Sequence, residues 1–245
     1  MTDSPLRGRR IVVTRPAHQS DALAEELDRL GATTVVIPLV RIEPLEDETG
    51  LAAALGDLDR YDWVVFTSAN GVAAVRRLAA NLGEAKVAAV GPATASAVRT
   101  LGLKASFVPE RFAAEEIVAG LQPLEGTRIL LPQADVADSG LADELRKRGA
   151  IVDAIPAYRT VEVEHAASEL AELRSADVVV LASGSAARSL AAHGGAGDGT
   201  LLVCIGPKTA DVAREVGLSV GLVADEATAD GIIHALVAHF GKQSE

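Results

Sequence analysis

The chain is poor in the residues that announce most chemistries. One cysteine stands in 245 residues, so no disulfide can form within the chain. That residue, Cys204, lies inside the apolar run Leu201 to Ile205 and reads as a buried structural thiol rather than a nucleophile. Apolar runs such as Val178 to Ala182 are far below the ~20 residues a membrane helix needs. The opening Met1-Thr2-Asp3-Ser4-Pro5 has no basic-then-apolar export signal, so a cytoplasmic protein with no membrane contact is expected. Lys and Arg total 23 against 34 Asp and Glu, a formal charge of −11, which argues against nucleic acid because phosphates demand clustered cations. The histidines His18, His165, His193, His234 and His239 are scattered and lack Glu or Cys at ligand spacing, so no metal is expected. No Gly-x-x-x-x-Gly-Lys is present, Gly194 to Gly199 has the wrong spacing for a nucleotide loop, and Ala182-Ser183-Gly184-Ser185-Ala186 misses the Gly-x-Ser-x-Gly elbow.

What the chain does have is a copy of itself. A shift of 118 carries Gly8, Arg10 and Ile11 onto Gly126, Arg128 and Ile129, and Ile37-Pro38-x-x-Arg41 onto Ile155-Pro156-x-x-Arg159. A shift of 115 carries Asp62-x-Val64-Val65 onto Asp177-x-Val179-Val180, Ser68 onto Ser183, and Gly91-Pro92-x-Thr94-Ala95 onto Gly206-Pro207-x-Thr209-Ala210. The shared Gly-Pro-x-Thr predicts the same turn in both halves. Two like domains make a cleft, where small ligands bind.

Each copy alternates short β-branched runs with amphipathic stretches. Arg10 to Thr14, Trp63 to Thr67, Val87 to Val90 and Ser106 to Val108 read as strands, with helices near Asp21 to Leu30, Val72 to Leu82, Thr94 to Leu101 and Ala114 to Leu121. Thr33 to Val40 reads as a further strand interrupted by Pro38, and the second copy repeats the pattern from Arg128. This alternation predicts an α/β fold of parallel sheets with ligand groups at the C-terminal strand ends. The segments Ile37 to Pro44 and Ile155 to Glu162 each carry an early proline that cannot donate to a ladder, so they suit connectors better than central strands. The expected organisation is a discontinuous domain of residues 1–37 and 163–245, an inserted domain of 44–154, and connectors at 38–43 and 155–162.

The remaining polar signal is a set of hydroxyls just past strands: Thr14, Thr67-Ser68-Ala69-Asn70-Gly71, Thr94, Ser183-Gly184-Ser185 and Thr209. One reading is N-capping, at about 0.5–2 kcal/mol each. The other is a series of carboxylate or phosphate cradles at helix N-termini. Capping does not require Thr94 and Thr209 to follow the same Gly-Pro in both copies. Tyr158, one of two tyrosines, is read either as packing or as a proton donor in an interdomain cleft.

Several blocks together carry a resemblance. Val13-Thr14-Arg15-Pro16, Ile37-Pro38-Leu39, Asp62 to Val72, Ala89 to Ala95, Ala157-Tyr158-Arg159-Thr160 and Ile205 to Ala210 fall in the order and approximate spacing of the uroporphyrinogen-III synthase family. The chain resembles that family from about residue 8 to 240, and Leu130 to Asp135 looks like its actinobacterial branch. The resemblance implies two flavodoxin-like parallel-sheet domains joined by a two-stranded extended connector. It also implies a monomer that needs no cofactor. The implied substrate is hydroxymethylbilane, a linear tetrapyrrole with eight carboxylates, cyclised with inversion of ring D and loss of water. On this view Tyr158 is the general acid, and Thr14, Arg15, Thr67, Ser68, Asn70, Thr94, Ser183, Ser185 and Thr209 hold substrate. Two departures stand out: Gln133 replaces a frequent Arg, and Leu181-Ala182-Ser183 replaces Phe-Thr-Ser. The rival reading is a non-catalytic two-domain module that closes on a small anion or sugar.

Overall fold

A computed structural model describes residues 4–16, 20–79, 81–109, 114–137 and 139–241; Met1 to Asp3 and His18 lie outside them. The chain opens with strand β1 (Arg10–Val13), helix α1 (Asp21–Arg29) and strands β2 (Thr33–Val36) and β3 (Val40–Glu43). Helix α2 (Thr49–Gly56), β4 (Trp63–Phe66), α3 (Ala69–Leu78), β5 (Lys86–Ala89), α4 (Pro92–Arg99) and α5 (Ala114–Gly120) follow. The second copy supplies β6 (Arg128–Ala134), α6 (Gly140–Lys147), β7 (Ile151–Glu162), α7 (Ala167–Ser175), β8 (Val178–Leu181) and α8 (Gly184–Ala192). It ends with β9 (Leu201–Cys204), α9 (Pro207–Glu215), β10 (Val220–Val223) and α10 (Ala229–Gly241).

The chain forms two compact units, residues 1–41 with 161–245 and residues 42–160. Each holds one five-stranded sheet, in the order β10-β9-β8-β1-β2 in the first unit and β3-β7-β6-β4-β5 in the second. The strand pairs β1–β2, β1–β8, β8–β9, β9–β10, β4–β5, β4–β6 and β6–β7 are all parallel. Parallel strands covered on both faces read as unbroken apolar runs, and these do. In the first unit Val12, Val179, Leu181 and Cys204 pack on one face while Ile11, Val13, Val178, Val180 and Val203 pack on the other. In the second, Val64, Phe66, Val87 and Leu130 oppose Val65, Ala88, Ile129 and Leu131.

The repeat and the unit are different objects. Strand β1 of the first copy pairs with β8 of the second, and β6 of the second copy pairs with β4 of the first. Both exchanges carry the same side-chain clamp. Asp177 Oδ2 accepts the backbone N–H of Arg10 (2.7 Å), and Asp62 Oδ2 accepts that of Arg128 (2.8 Å). The aspartate backbones complete the ladder, with Asp177 N donating to Arg10 O at 3.0 Å and Asp62 N to Arg128 O at 2.9 Å.

The proline-bearing segments are strands. Strand β7 runs unbroken through Pro156, lies between β3 and β6, and spans the unit boundary at Thr160 and Val161, so the segment 155–162 is extended chain paired within a sheet. The proline is tolerated because the ladder breaks there. Gln133 pairs with Pro156 but Ala134 pairs with Tyr158, leaving Ala157 as an extra residue in a bulge. On the other side β3 ends at Glu43, which holds Arg159. Pro38 does end β2, and the chain resumes as β3. Ser106 to Val108 makes only an isolated bridge, Ala88 to Phe107, instead of a strand. Helix α2 has no counterpart in the pattern read from the sequence; Leu51, Ala54 and Leu55 are its buried stripe.

The aspartate clamps give the first prediction. Asp62→Ala and Asp177→Ala should each cost about 0.5–1 kcal/mol by removing the side-chain acceptor of the first N–H of a strand from the opposite copy, water replacing part of it at these exposed sites. In the double variant the losses should add, because the two sites share no partner. Urea unfolding followed by circular dichroism measures this; unchanged midpoints in both single variants would show that the exchanged strands need no side-chain clamp.

Candidate active site

In the second unit β4 ends at Phe66, and the chain turns through exposed Thr67 into Ser68, the N-cap of α3. Ser68 Oγ accepts the N–H of Gly71 at 3.2 Å, satisfying one of the unpaired donors that open any helix. Gly71 has a second reason to be glycine: a Cβ there would stand 3.1 Å from the Pro132 carbonyl of β6. Ser68 Oγ also lies 2.9 Å from the hydroxyl of Tyr158 on β7. The bulge at Ala157 advances β7 by one residue against β6, and the Tyr158 backbone is held by Asp135, whose N–H donates to the Tyr158 carbonyl at 2.9 Å.

Tyr158 is 8% exposed. Burial pushes its phenol above the ordinary tyrosine value, hydrogen bonds from Ser68 and the Asn70 side chain pull it back down, and the charge of Asp135 pushes it up. The phenol is thus a protonated group through neutral pH, held by two polar side chains from one helix start. Thr94 is buried in the first turn of α4, its hydroxyl directed to Val90 O at a long 3.5 Å. So Ser68, Asn70 and Tyr158 come together directly, Thr94 starts the helix after neighbouring β5, and Thr67 is exposed beside them.

The first unit repeats the loops with different contents. Ser183 caps α8 through Ala186 N (3.1 Å), as Ser68 caps α3. Ser185 is the second residue of α8, and Thr209 is buried in the first turn of α9. Arg15, partly covered, follows β1, and burial lowers its pKa. Thr14 is otherwise engaged. It is 1% exposed, and both its N–H (3.3 Å) and its Oγ1–H (2.7 Å) donate to the Val180 carbonyl. It staples the end of β1 to β8, leaving no donor for a ligand.

The shared Gly-Pro-x-Thr predicts one turn in both copies, and the structure corrects this. Gly91 has φ 105°, a left-handed conformation that favours glycine, whereas Gly206 is extended at φ −178°. Proline opens the helix in both because its missing N–H is one of the unpaired ones. Cys204 is buried in β9 and its thiol is pushed up to about 11 by desolvation, which suits a structural residue. No group of three or more His, Cys, Asp or Glu able to hold a metal occurs among the described residues. Sequence reasoning missed Asp135 as a neighbour of Tyr158. Its only signal was its place at the end of β6.

Comparison with known proteins adds the following. The family model for uroporphyrinogen-III synthase HemD matches residues 21–234. The uroporphyrinogen-III synthase of Synechococcus elongatus is 30% identical over 96% of this chain and 97% of its own length. Among solved structures, a uroporphyrinogen III synthase from Thermus thermophilus is similar with a TM-score of 0.66 at 17% identity, over 97% of this chain and all of that one. The Helicobacter pylori enzyme follows with a TM-score of 0.63 at 18% identity, over 94% of this chain and 99% of that one.

Tyr158 and Tyr61 are the chain's two tyrosines, so a Tyr61→Phe background leaves Tyr158 as the single phenol. Its tyrosinate absorbance should appear above pH ~10, and Ser68→Ala should move it higher by removing a bond that favours the phenolate. A raised folded-state pKa means stability that is complete below the unfolded tyrosine value and is lost as pH rises through the folded one. The alkaline limb of a pH-stability curve should therefore flatten in Tyr158→Phe. A titration at or below the ordinary tyrosine value, unmoved by Ser68→Ala, would contradict the contact.

Proposed function

Because the chain belongs to the uroporphyrinogen-III synthase family, we propose that it cyclises hydroxymethylbilane to uroporphyrinogen III, with Tyr158 as the general acid. The observation that carries the assignment is the hydroxyl of Tyr158, buried and bonded to Ser68 and Asn70 at the start of α3. Capping orients this network. The Gly71 N–H donates to Ser68 Oγ; either hydroxyl can donate in the Ser68–Tyr158 contact, and in the reaction proposed Ser68 is the donor, so that the phenol proton is left for the substrate. Each donor polarises the next, and the positive end of α3 stands behind the chain.

The reaction needs a proton at one atom and control of shape elsewhere. Tyr158 protonates the departing hydroxyl, the carbon–oxygen bond breaks, and the pyrrole nitrogen pair stabilises the resulting azafulvenium cation. Ring D attacks that carbon through its substituted position to give the spiro intermediate, which fragments at the bond joining ring D to ring C's bridging carbon and recloses at the free carbon of ring D. The last closure releases the proton that returns to the phenolate, so the sum is substrate to product plus water. A tyrosine fits this use, since a donor with pKa near or above ~10 stays loaded at neutral pH.

We place the substrate's carboxylates on Arg15, Ser183, Ser185 and Thr209 of the first unit and on Thr67, Ser68, Asn70 and Thr94 of the second. Helix N-termini supply the backbone donors. Thr14 acts by fixing the loop that carries Arg15. The reading also takes the protein to be a cytoplasmic monomer; its single cysteine is buried, and among the described residues no helix is long and apolar enough to cross a membrane.

Tyr158→Phe should leave the fold intact and lower turnover about 10²–10⁴-fold. Unaided closure of the substrate then takes over, and the product shifts from isomer III towards isomer I. Chromatography of the oxidised porphyrins gives rate and isomer ratio together, with circular dichroism as the check on folding. Wild-type rate and ratio would reduce Tyr158 to a packing residue. A wild-type protein that binds hydroxymethylbilane without forming isomer III would favour the binding-module reading.

A further inference from the structure

Two histidines of the first unit stand outside the proposed reaction. His165 follows β7 by three residues, and His193 is the C-cap of α8. Their rings meet edge to face, with centres 5.4 Å apart and planes at 74°. The His165 side chain is 1% exposed, yet neither of its ring nitrogens has a hydrogen-bond partner among the described residues. A neutral imidazole carries one donor and one acceptor, and burying both unused is unfavourable. We propose that His165 and His193 bind a divalent metal ion of the zinc, nickel and copper class, each through one ring nitrogen.

The neighbours of each ring set which nitrogen it gives. His193 Nδ1 lies 2.8 Å from the Ser189 carbonyl. A carbonyl only accepts, so Nδ1 carries the proton and Nε2 keeps its lone pair. His165 Nδ1 lies 3.5 Å from Glu169 Oε2, and a carboxylate on that side favours the proton there, leaving Nε2 as the ligand atom. Metal-binding imidazoles turn their other nitrogen to a carbonyl or a carboxylate in this way. The spacing agrees as well. With metal–nitrogen distances of about 2.0–2.1 Å each ring centre lies roughly 3.2 Å from the ion, and a tetrahedral angle then sets the centres about 5.2 Å apart.

The surroundings bear on which ion binds and how tightly. No third His, Cys, Asp or Glu joins the pair as a ligand among the described residues. Glu169 Oε2 accepts the Ala166 N–H at 2.9 Å, so this carboxylate stands behind His165 and not on the ion. Two imidazoles, with water at the remaining positions, make a weaker site than the three or four protein ligands of a zinc protein. They select against magnesium and calcium, which take oxygen ligands. The Arg174 guanidinium donates to the His193 carbonyl at 3.2 Å, on the backbone side of that residue. The Leu39 carbonyl accepts both the Val163 N–H and the Ser189 hydroxyl, each at 3.1 Å. The segment that carries His165 and the helix that carries His193 are thereby tied to one point, so the ion meets ligands already placed.

Isothermal titration of the untagged chain with nickel chloride, and separately with zinc chloride, tests the site. One ion should bind per chain in the micromolar range, and magnesium chloride should give no binding heat. His165→Gln and His193→Gln should each weaken binding about tenfold or more, and Glu169→Gln by a smaller factor. His234→Gln, at an exposed histidine of α10, should leave it unchanged. Copper(II) paramagnetic resonance should show two nitrogen ligands in the wild type and one in His193→Gln. Bound nickel should raise the midpoint of thermal unfolding in the wild type and not in His193→Gln. Circular dichroism checks the fold of His165→Gln; His193 is only partly buried, so His193→Gln carries the test if the other variant unfolds. A wild type without saturable binding, or binding that His193→Gln leaves intact, would overturn the site. So would binding that His234→Gln abolishes.

Discussion

The pairing of strands across the repeat is the constraint on which the structure depends. Were each copy to fold on itself, β1 would sit in the same sheet as β4. Instead β1 joins β8 and β6 joins β4, in parallel register. The gain is burial on both faces: Ile11, Val12 and Val13 are each fully buried only because β8 and β2 flank β1. Apolar burial at roughly 25 cal/mol per Å² makes such an exchange favourable, and the Asp62 and Asp177 clamps fix its register. A single-residue slip would move every side chain to the other face. The chain must therefore leave the first unit and return to it.

The return is made by β7, and that strand delivers the candidate acid. Pro156 interrupts its ladder, the resulting bulge adds Ala157, and Tyr158 follows one residue later opposite Ala134. Without the extra residue the pleat would reverse the face of Tyr158. A feature that looks like a defect in the strand thus aims a side chain, as bulges near sites often do. Ser68 connects the local and the distant. The hydroxyl that caps α3 is the one that meets the phenol, so capping, one of the two readings of this residue in sequence, leaves it able to make a second contact.

Duplication explains why the two units share loops, and divergence explains why they differ. A capping serine follows β4 and β8 alike because a helix start needs an acceptor whatever it does next. The turns at Gly91 and Gly206 share a sequence and differ in φ. At 206 the glycine is not required by its backbone conformation. The changes between copies fall on side chains just past the strand ends: arginine against glutamine, lysine against alanine, serine against asparagine.

Periodicity and composition by themselves determined the α/β class, the parallel sheets, the placing of Ser68 and Ser183 just past strands where helices start, and the buried role of Cys204. These depend on neighbours in the chain, which a sequence lists directly. The motif blocks also determined the family. What only tertiary structure decided was which residues meet. The contact of Ser68 with Tyr158 spans 90 residues, and it exists because β4, β6 and β7 are adjacent and β7 is bulged. Thr14 and Thr94 both looked like cradle residues, yet the exchange of β1 into the sheet beside Val180 turned the donors of Thr14 inward. Pro156 reads as a break in a ladder by its missing N–H, and only the structure showed β7 carried through it with a bulge at Ala157. Local physics sets what each segment can be, while the register of strands far apart in sequence sets which side chains share a place.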